Sequence, residues 1–152
     1  MEIERKFLIR KLPDHLEDYP SYEIEQAYLN KEPVLRIRRF KDRYILTMKS
    51  GGMLAHEEYE IPMSREAFLH LLPKTDGRII RKTRYKIPYN EELTIELDIF
   101  SGSMEGLIMA EVEFPSIRDA ESFIPPDWFG EDVTSNPRYH NVFMAYEGTD
   151  PA

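Results

Sequence analysis

The 152-residue sequence has no cysteine, one tryptophan and four histidines. Without cysteine there is no disulfide and no thiolate, so any metal must be held by oxygen or imidazole nitrogen. Apolar runs of about 18 residues are missing, as is a signal-peptide pattern, so a soluble cytoplasmic chain with no membrane partner is expected. Basic residues are in deficit: 20 Lys and Arg against 28 Asp and Glu give a net charge of −8. That balance argues against stable, sequence-independent nucleic-acid binding. It leaves room for a local basic pocket, because net charge does not locate the charges. Linkers, internal repeats and low-complexity segments are also missing, and one domain spanning residues 1–152 is expected.

Hydrophobic residues make up 41% and aromatics 12%, enough for a packed core. The first stretch, residues 1–9, alternates. Ile3, Phe7 and Ile9 have one parity; Glu2, Glu4 and Lys6 have the other. In a strand parity is a face, so two carboxylates and an ammonium line up about 7 Å apart. Such acids can share a hard cation, and the lysine can hold the anion it brings. Alone, the stretch reads more readily as a solvent-facing edge strand of mixed charge.

The same alternation recurs along the chain. Residues 22–30, 34–40, 44–50, 54–61, 78–89, 93–100 and 107–114 read as further strands, eight in all, in a meander of hairpins. Ser50-Gly51-Gly52 and Asp76-Gly77 read as turns. Helical turns are expected within 12–19, behind an N-cap at Ser64, over 116–123, and from Asn136-Pro137 to about Tyr146. Residues 125–130 read as a packed loop.

Collected, the polar faces hold Lys6, Arg36, Arg38, Lys49, Lys82, Arg84 and Lys86 against Glu2, Glu4, Glu58, Glu60, Glu96, Asp98, Glu111 and Glu113. A solvated face would also hold neutral polar residues, and here the strand centres are almost purely charged. The opposite faces are apolar enough to pack under helices. A mainly β (α+β) fold accounts for both: an eight-stranded antiparallel closed β-barrel with a charged tunnel and a few flanking helices. The basic side chains would hold an extended polyanion and the acids its metals.

Glu2-Ile3-Glu4-Arg5-Lys6 resembles the E-x-E-x-K signature of the CYTH, or triphosphate tunnel metalloenzyme, family. Supporting segments follow in order: Arg36-Ile37-Arg38, Thr47-Met48-Lys49, Glu58-Tyr59-Glu60, Lys82-Thr83-Arg84, Glu96-Leu97-Asp98, and Gly106-Leu107 through Glu111-Val112-Glu113. The stretch from Trp128 to Thr134 is similar to that before the family's last helix. The resemblance implies a β tunnel binding triphosphate with Mg²⁺ or Mn²⁺, in the manner of a bacterial single-domain inorganic triphosphatase. One departure stands out: His56 occupies a position where many members carry arginine. It reads either as a replacement cation or as a surface histidine. His15, His70 and His140 read as structural.

Under this resemblance Glu2, Glu4, Glu111 and Glu113 are the expected metal ligands. With Lys6 they are also the expected catalytic residues. Lys6, Arg36, Arg38, Lys49 and Arg84 are the expected phosphate contacts, with Lys82 second in rank and Lys86 outside. Arginine forks suit phosphate oxygens, and lysines act as point charges. Glu58, Glu60, Glu96 and Asp98 would either orient the cations or hold a second metal.

The implied reaction is metal-dependent hydrolysis of a terminal phosphoanhydride. Inorganic triphosphate is the expected substrate, with looser use of nucleoside triphosphates. Thiamine triphosphatase and class IV-type adenylyl cyclase are alternatives. The cyclase members carry a His-Phe pair before the signature, and here Glu2 follows Met1 directly. A non-catalytic polyphosphate- or nucleotide-binding module is the alternative of a different class. The sequence does not specify the oligomeric state.

Overall fold

Alternating sequences become strands here because each can bury one face under a helix and turn the other inward. The computed structural model describes residues 1–51 and 54–147. Gly52 of the expected 50–52 turn lies outside them. The strands are β1 (Glu2–Ile9), β2 (Ser21–Asn30), β3 (Val34–Phe40), β4 (Arg43–Gly51), β5 (Ala55–Pro62), β6 (Asp76–Pro88), β7 (Thr94–Ser101), β8 (Ile108–Glu113) and β9 (Phe129–Asp132). Helices α1 (Arg65–Leu71), α2 (Ile117–Ser122) and α3 (Asn141–Glu147) flank them.

The sheet order is β5-β4-β3-β2-β6-β7-β8-β1-β9, and a β5–β1 pairing closes it into a barrel. Every pairing is antiparallel. Closure is short: Glu2 meets His56 and Ile3 meets Ala55. Further along the same edge of β1, β9 takes over at Phe7 and Ile9. This ninth strand corrects the loop expected over 125–130, whose last residues enter it. The strand is four residues long and does not alternate cleanly, so only its tertiary partner reveals it.

The core lies outside the barrel. Ile3, Phe7, Leu97, Val112 and Phe114 pack with Ala120 of α2, Phe123 and Phe129. Ala27 and Ile37 pack with Phe68 of α1. Ser64 and Ser116 cap α1 and α2 as expected, accepting from the amides of Ala67 and Asp119. The last helix departs from expectation. Asn136 caps a single 3₁₀ turn, Pro137–Tyr139, and extended backbone at His140 separates it from α3.

One end of the lumen is apolar. Inward-facing Tyr28, Ile80, Phe100 and Met109 cluster with Val133 and with Met144 and Ala145 of α3. Asp76-Gly77 belongs to β6 rather than to a turn, and the β2–β6 register shifts between Gln26 and Tyr28. Gly77 has φ +63°, and a Cβ there would lie 2.1 Å from the carbonyl oxygen of Ala145. Only glycine lets α3 seat this closely over the barrel end.

Candidate active site

The expected inward parity holds: Glu2, Glu4, Lys6, Arg36, Arg38, Lys49, Arg84, Glu111 and Glu113 all line one cavity of about 370 Å³. Glu58 and Glu96 join them. A cavity of this size suits a small molecule. No helix among the described residues is long and apolar enough to cross a membrane.

The cations divide by how well they are paired. Arg84 donates through Nε and Nη2 to both oxygens of Asp98, at 2.7 and 2.8 Å, and reaches Glu111 at 3.4 Å. Lys6 Nζ bonds Glu111 Oε1 at 2.9 Å. Burial alone would lower the Lys6 pKa, but Glu111 and Glu4 lift it to about 12. Arg36 is buried, reaches Glu58 only at 3.8 Å, and leaves its Nε without a hydrogen-bond partner among the described residues.

Arg38 is the least compensated. Its Nε donates to Gln26 Oε1 at 3.0 Å, and it has no carboxylate partner among the described residues. Burial and the neighbouring guanidiniums of Arg36 and Arg84 push its pKa down to about 10. A cation destabilised by two like charges calls for an anion.

Lys82 does not line the cavity. It lies beneath the wall, with Nζ 2.7 Å from Asp98 and 3.4 Å from Asn141 Oδ1 of α3. Burial lowers its pKa to about 8 despite Asp98. Asp98 thus serves two buried cations at once. Lys86, half-exposed, pairs with Glu96, and Glu60 is exposed.

The acids also divide. Glu111 is held well below the usual carboxylate range: burial would raise it, but Lys6 and Arg84 outweigh that. Glu4 is 8% exposed, and its carboxylate has no hydrogen bond or ion pair among the described residues. Burial and then Glu111 raise its pKa. Glu113, exposed at the mouth, is raised by partial burial and then by Glu2, Glu96 and Glu4. Glu58 is raised to about 7 by burial and a hydrogen bond to Glu2. Glu2 accepts from Lys49 Nζ at 3.1 Å and contacts His56 Nε2.

Carboxylates crowded this way fit a hard divalent cation by donor chemistry, since all offer oxygen and Glu4 and Glu113 lack a cationic partner among the described residues. Among the described residues, Glu2, His56 and Glu58 bring one donor atom each within 4.8 Å of the others; of the four acids expected from the sequence, Glu2 is in this group.

Tyr28 and His140 also line the cavity, although the sequence placed neither in the site and read His140 as structural. Tyr28 accepts from Gln26 Nε2 at 3.0 Å, which fixes the amide that holds Arg38. His140 donates through Nε2 to the Thr134 carbonyl at 2.7 Å. Thr134 in turn accepts from the Lys6 amide at 2.9 Å. The parity of β2 pointed to Tyr28. Nothing local pointed to His140.

A closed antiparallel barrel with its apolar core outside and paired charges inside is a triphosphate tunnel. The CYTH domain model matches residues 1–136, and the chain belongs to the CYTH domain family. It is 42% identical over 147 residues to the inorganic triphosphatase of Nitrosomonas europaea, covering 95% of this chain and 96% of that one. It is 38% identical over 146 residues to the inorganic triphosphatase of Acetivibrio thermocellus, covering 92% and 90%. The crystal structure of the inorganic triphosphatase NE1496 superposes with a TM-score of 0.71 at 40% identity, covering 95% of this chain and 94% of that one.

Proposed function

We propose that this chain is a metal-dependent triphosphatase that hydrolyses the terminal phosphoanhydride of inorganic triphosphate, with nucleoside triphosphates as poorer substrates. The observation that carries the reading is Arg38: a partly buried guanidinium beside two others, with no carboxylate partner among the described residues, facing a cavity of about 370 Å³. The names of the relatives support the same substrate. The lack of cysteine fits a cytoplasmic setting.

Arg38, Arg36 and Lys49 bind and orient the phosphoryl oxygens, donating charge-assisted hydrogen bonds that strengthen as charge develops. Lys6 and Arg84 join them when polyanion draws these cations from Glu111. Glu2, Glu4, Glu58 and Glu113 are the residues that would hold Mg²⁺ or Mn²⁺, and Glu111 becomes available once its cations turn to substrate. A bound divalent ion neutralises phosphoryl charge and lowers the pKa of water. Attack by water on the terminal phosphorus breaks the bridging P–O bond and yields phosphate and pyrophosphate. The charged tunnel holds the chain of phosphates in line for that displacement.

The test is phosphate release from inorganic triphosphate, ATP and thiamine triphosphate, each with Mg²⁺, Mn²⁺ and chelator. Release from inorganic triphosphate that stops with chelator is the expected result. Tight binding without release would make the chain a binding module.

A further inference from the structure

His56 and two carboxylates meet where the barrel closes. Glu2 on β1 stands opposite His56 on β5, and Glu58 follows two residues later on the same inward face. One donor atom from each lies within 4.8 Å of the other two. His56 Nε2 already contacts Glu2 Oε1. All three side chains line the cavity. Next to them on the inner face of β1, Glu4 is 8% exposed, and its carboxylate is without a hydrogen bond or ion pair among the described residues.

We propose that Glu2, His56 and Glu58 form a mixed oxygen–nitrogen cation site at the closure of the tunnel, one that binds first-row transition ions through the imidazole. The proposal rests on the metal-dependent reading of the tunnel, and adds which atoms do the binding. Charge favours it. Three carboxylates gather here, and among the described residues the lysine and arginine in ion-pair reach of Glu2 and Glu58 are Lys49, 3.1 Å from Glu2, and Arg36, 3.8 Å from Glu58. A divalent ion between Glu2 and Glu58 relieves that excess, and His56 is placed to complete its ligand set. Donor chemistry sets the selectivity. Imidazole adds much to the affinity of a transition ion and little to that of Mg²⁺, which keeps to oxygen. The arginine that the family resemblance leads one to expect at this position could not ligate at all. This chain has therefore gained a ligand there.

The test uses the full chain loaded with Mn²⁺. The electron spin-echo of the bound ion should carry nitrogen modulation. That modulation should change to the ¹⁵N pattern when histidine alone is ¹⁵N-labelled, a readout that needs no substitution. It should persist in His140→Gln and vanish in His56→Gln and His56→Arg. By calorimetry, Mn²⁺ affinity should fall about tenfold in His56→Gln, the scale on which even the partners of metal ligands act, with Mg²⁺ affinity little changed. Mn²⁺ bound without nitrogen modulation overturns the imidazole ligand and leaves the triphosphatase reading standing. Failure of Mn²⁺ and Mg²⁺ to bind overturns both.

Discussion

Arg84 and Asp98 stand opposite each other on β6 and β7, and the guanidinium fork closes on both carboxylate oxygens at 2.7 and 2.8 Å. Lys82 leans on the same carboxylate at 2.7 Å. Asp98→Ala should therefore strand two buried cations and cost about 3–5 kcal/mol of stability in urea unfolding. Added inorganic triphosphate should restore part of the loss, since an anion in the cavity can take over Arg84. An unchanged unfolding midpoint would refute this account of the wall.

Arg38 makes the opposite case. Arg38→Ala should weaken triphosphate binding by about 1.5–3 kcal/mol in calorimetry, the worth of a charge-assisted contact. Arg38→Lys should recover only part, because the fork is lost. Without ligand the Arg38→Ala chain should melt no lower than its parent, since repulsion from Arg36 and Arg84 is relieved. Undiminished affinity would remove Arg38 from the substrate contacts.

The acids should separate by pairing. Turnover should drop in Glu2→Ala, Glu4→Ala, Glu111→Ala and Glu113→Ala. Stability without metal should not move in one direction. Glu4→Gln removes a buried carboxylate whose pKa is raised by burial and by Glu111, so its melting temperature should rise. Glu111→Gln uncouples Lys6 and Arg84, so its melting temperature should fall. Differential scanning calorimetry in chelator reads both shifts, and equal shifts would contradict the division.

His140 gives a pH signature. Burial and then Lys6 hold its pKa down at about 4. Below pH 6.5 the unfolded chain takes up this proton while the folded chain stays neutral at His140 until about pH 4. Stability from this group is thus complete above 6.5, falls between 6.5 and 4, and is level below. Glu4, Glu58 and Glu113, whose pKa values are raised, act in the opposite sense across overlapping pH, so the difference between parent and His140→Gln is the measurement. That difference should shrink by on the order of 2 kcal/mol from pH 7 to pH 4, allowing for partial solvent access. A difference that does not vary with pH would show that His140 is not held neutral.

The barrel and the inward set of charges were legible because parity is a local property. A strand with Arg36 and Arg38 on one face and Ile37 on the other has one sensible orientation when the outside packs under helices. What parity cannot give is who pairs with whom. Lys82 and Arg84 share a face, yet Lys82 is held by Asp98 and Asn141 beneath the cavity while Arg84 reaches it. The same limit hid the Glu2, His56 and Glu58 group, since Glu2 and His56 meet only through barrel closure. β9 depends on a long-range pairing with β1, and His140 bonds the Thr134 carbonyl six residues back through an irregular segment with no alternation to announce it.

The short closure of β1 also sets when, during folding, the cavity comes into being. Lys6 meets Glu111 across 105 residues of chain, and its amide meets Thr134 across 128. Contacts of such separation form late, after the hairpins β2–β3, β3–β4 and β6–β7 have paid their small loop entropies. A refolding chain should regain its strand signal before it regains affinity for triphosphate. On a ribosome, β1 can meet β5 early, but the wall around Lys6 must wait for β8 and β9.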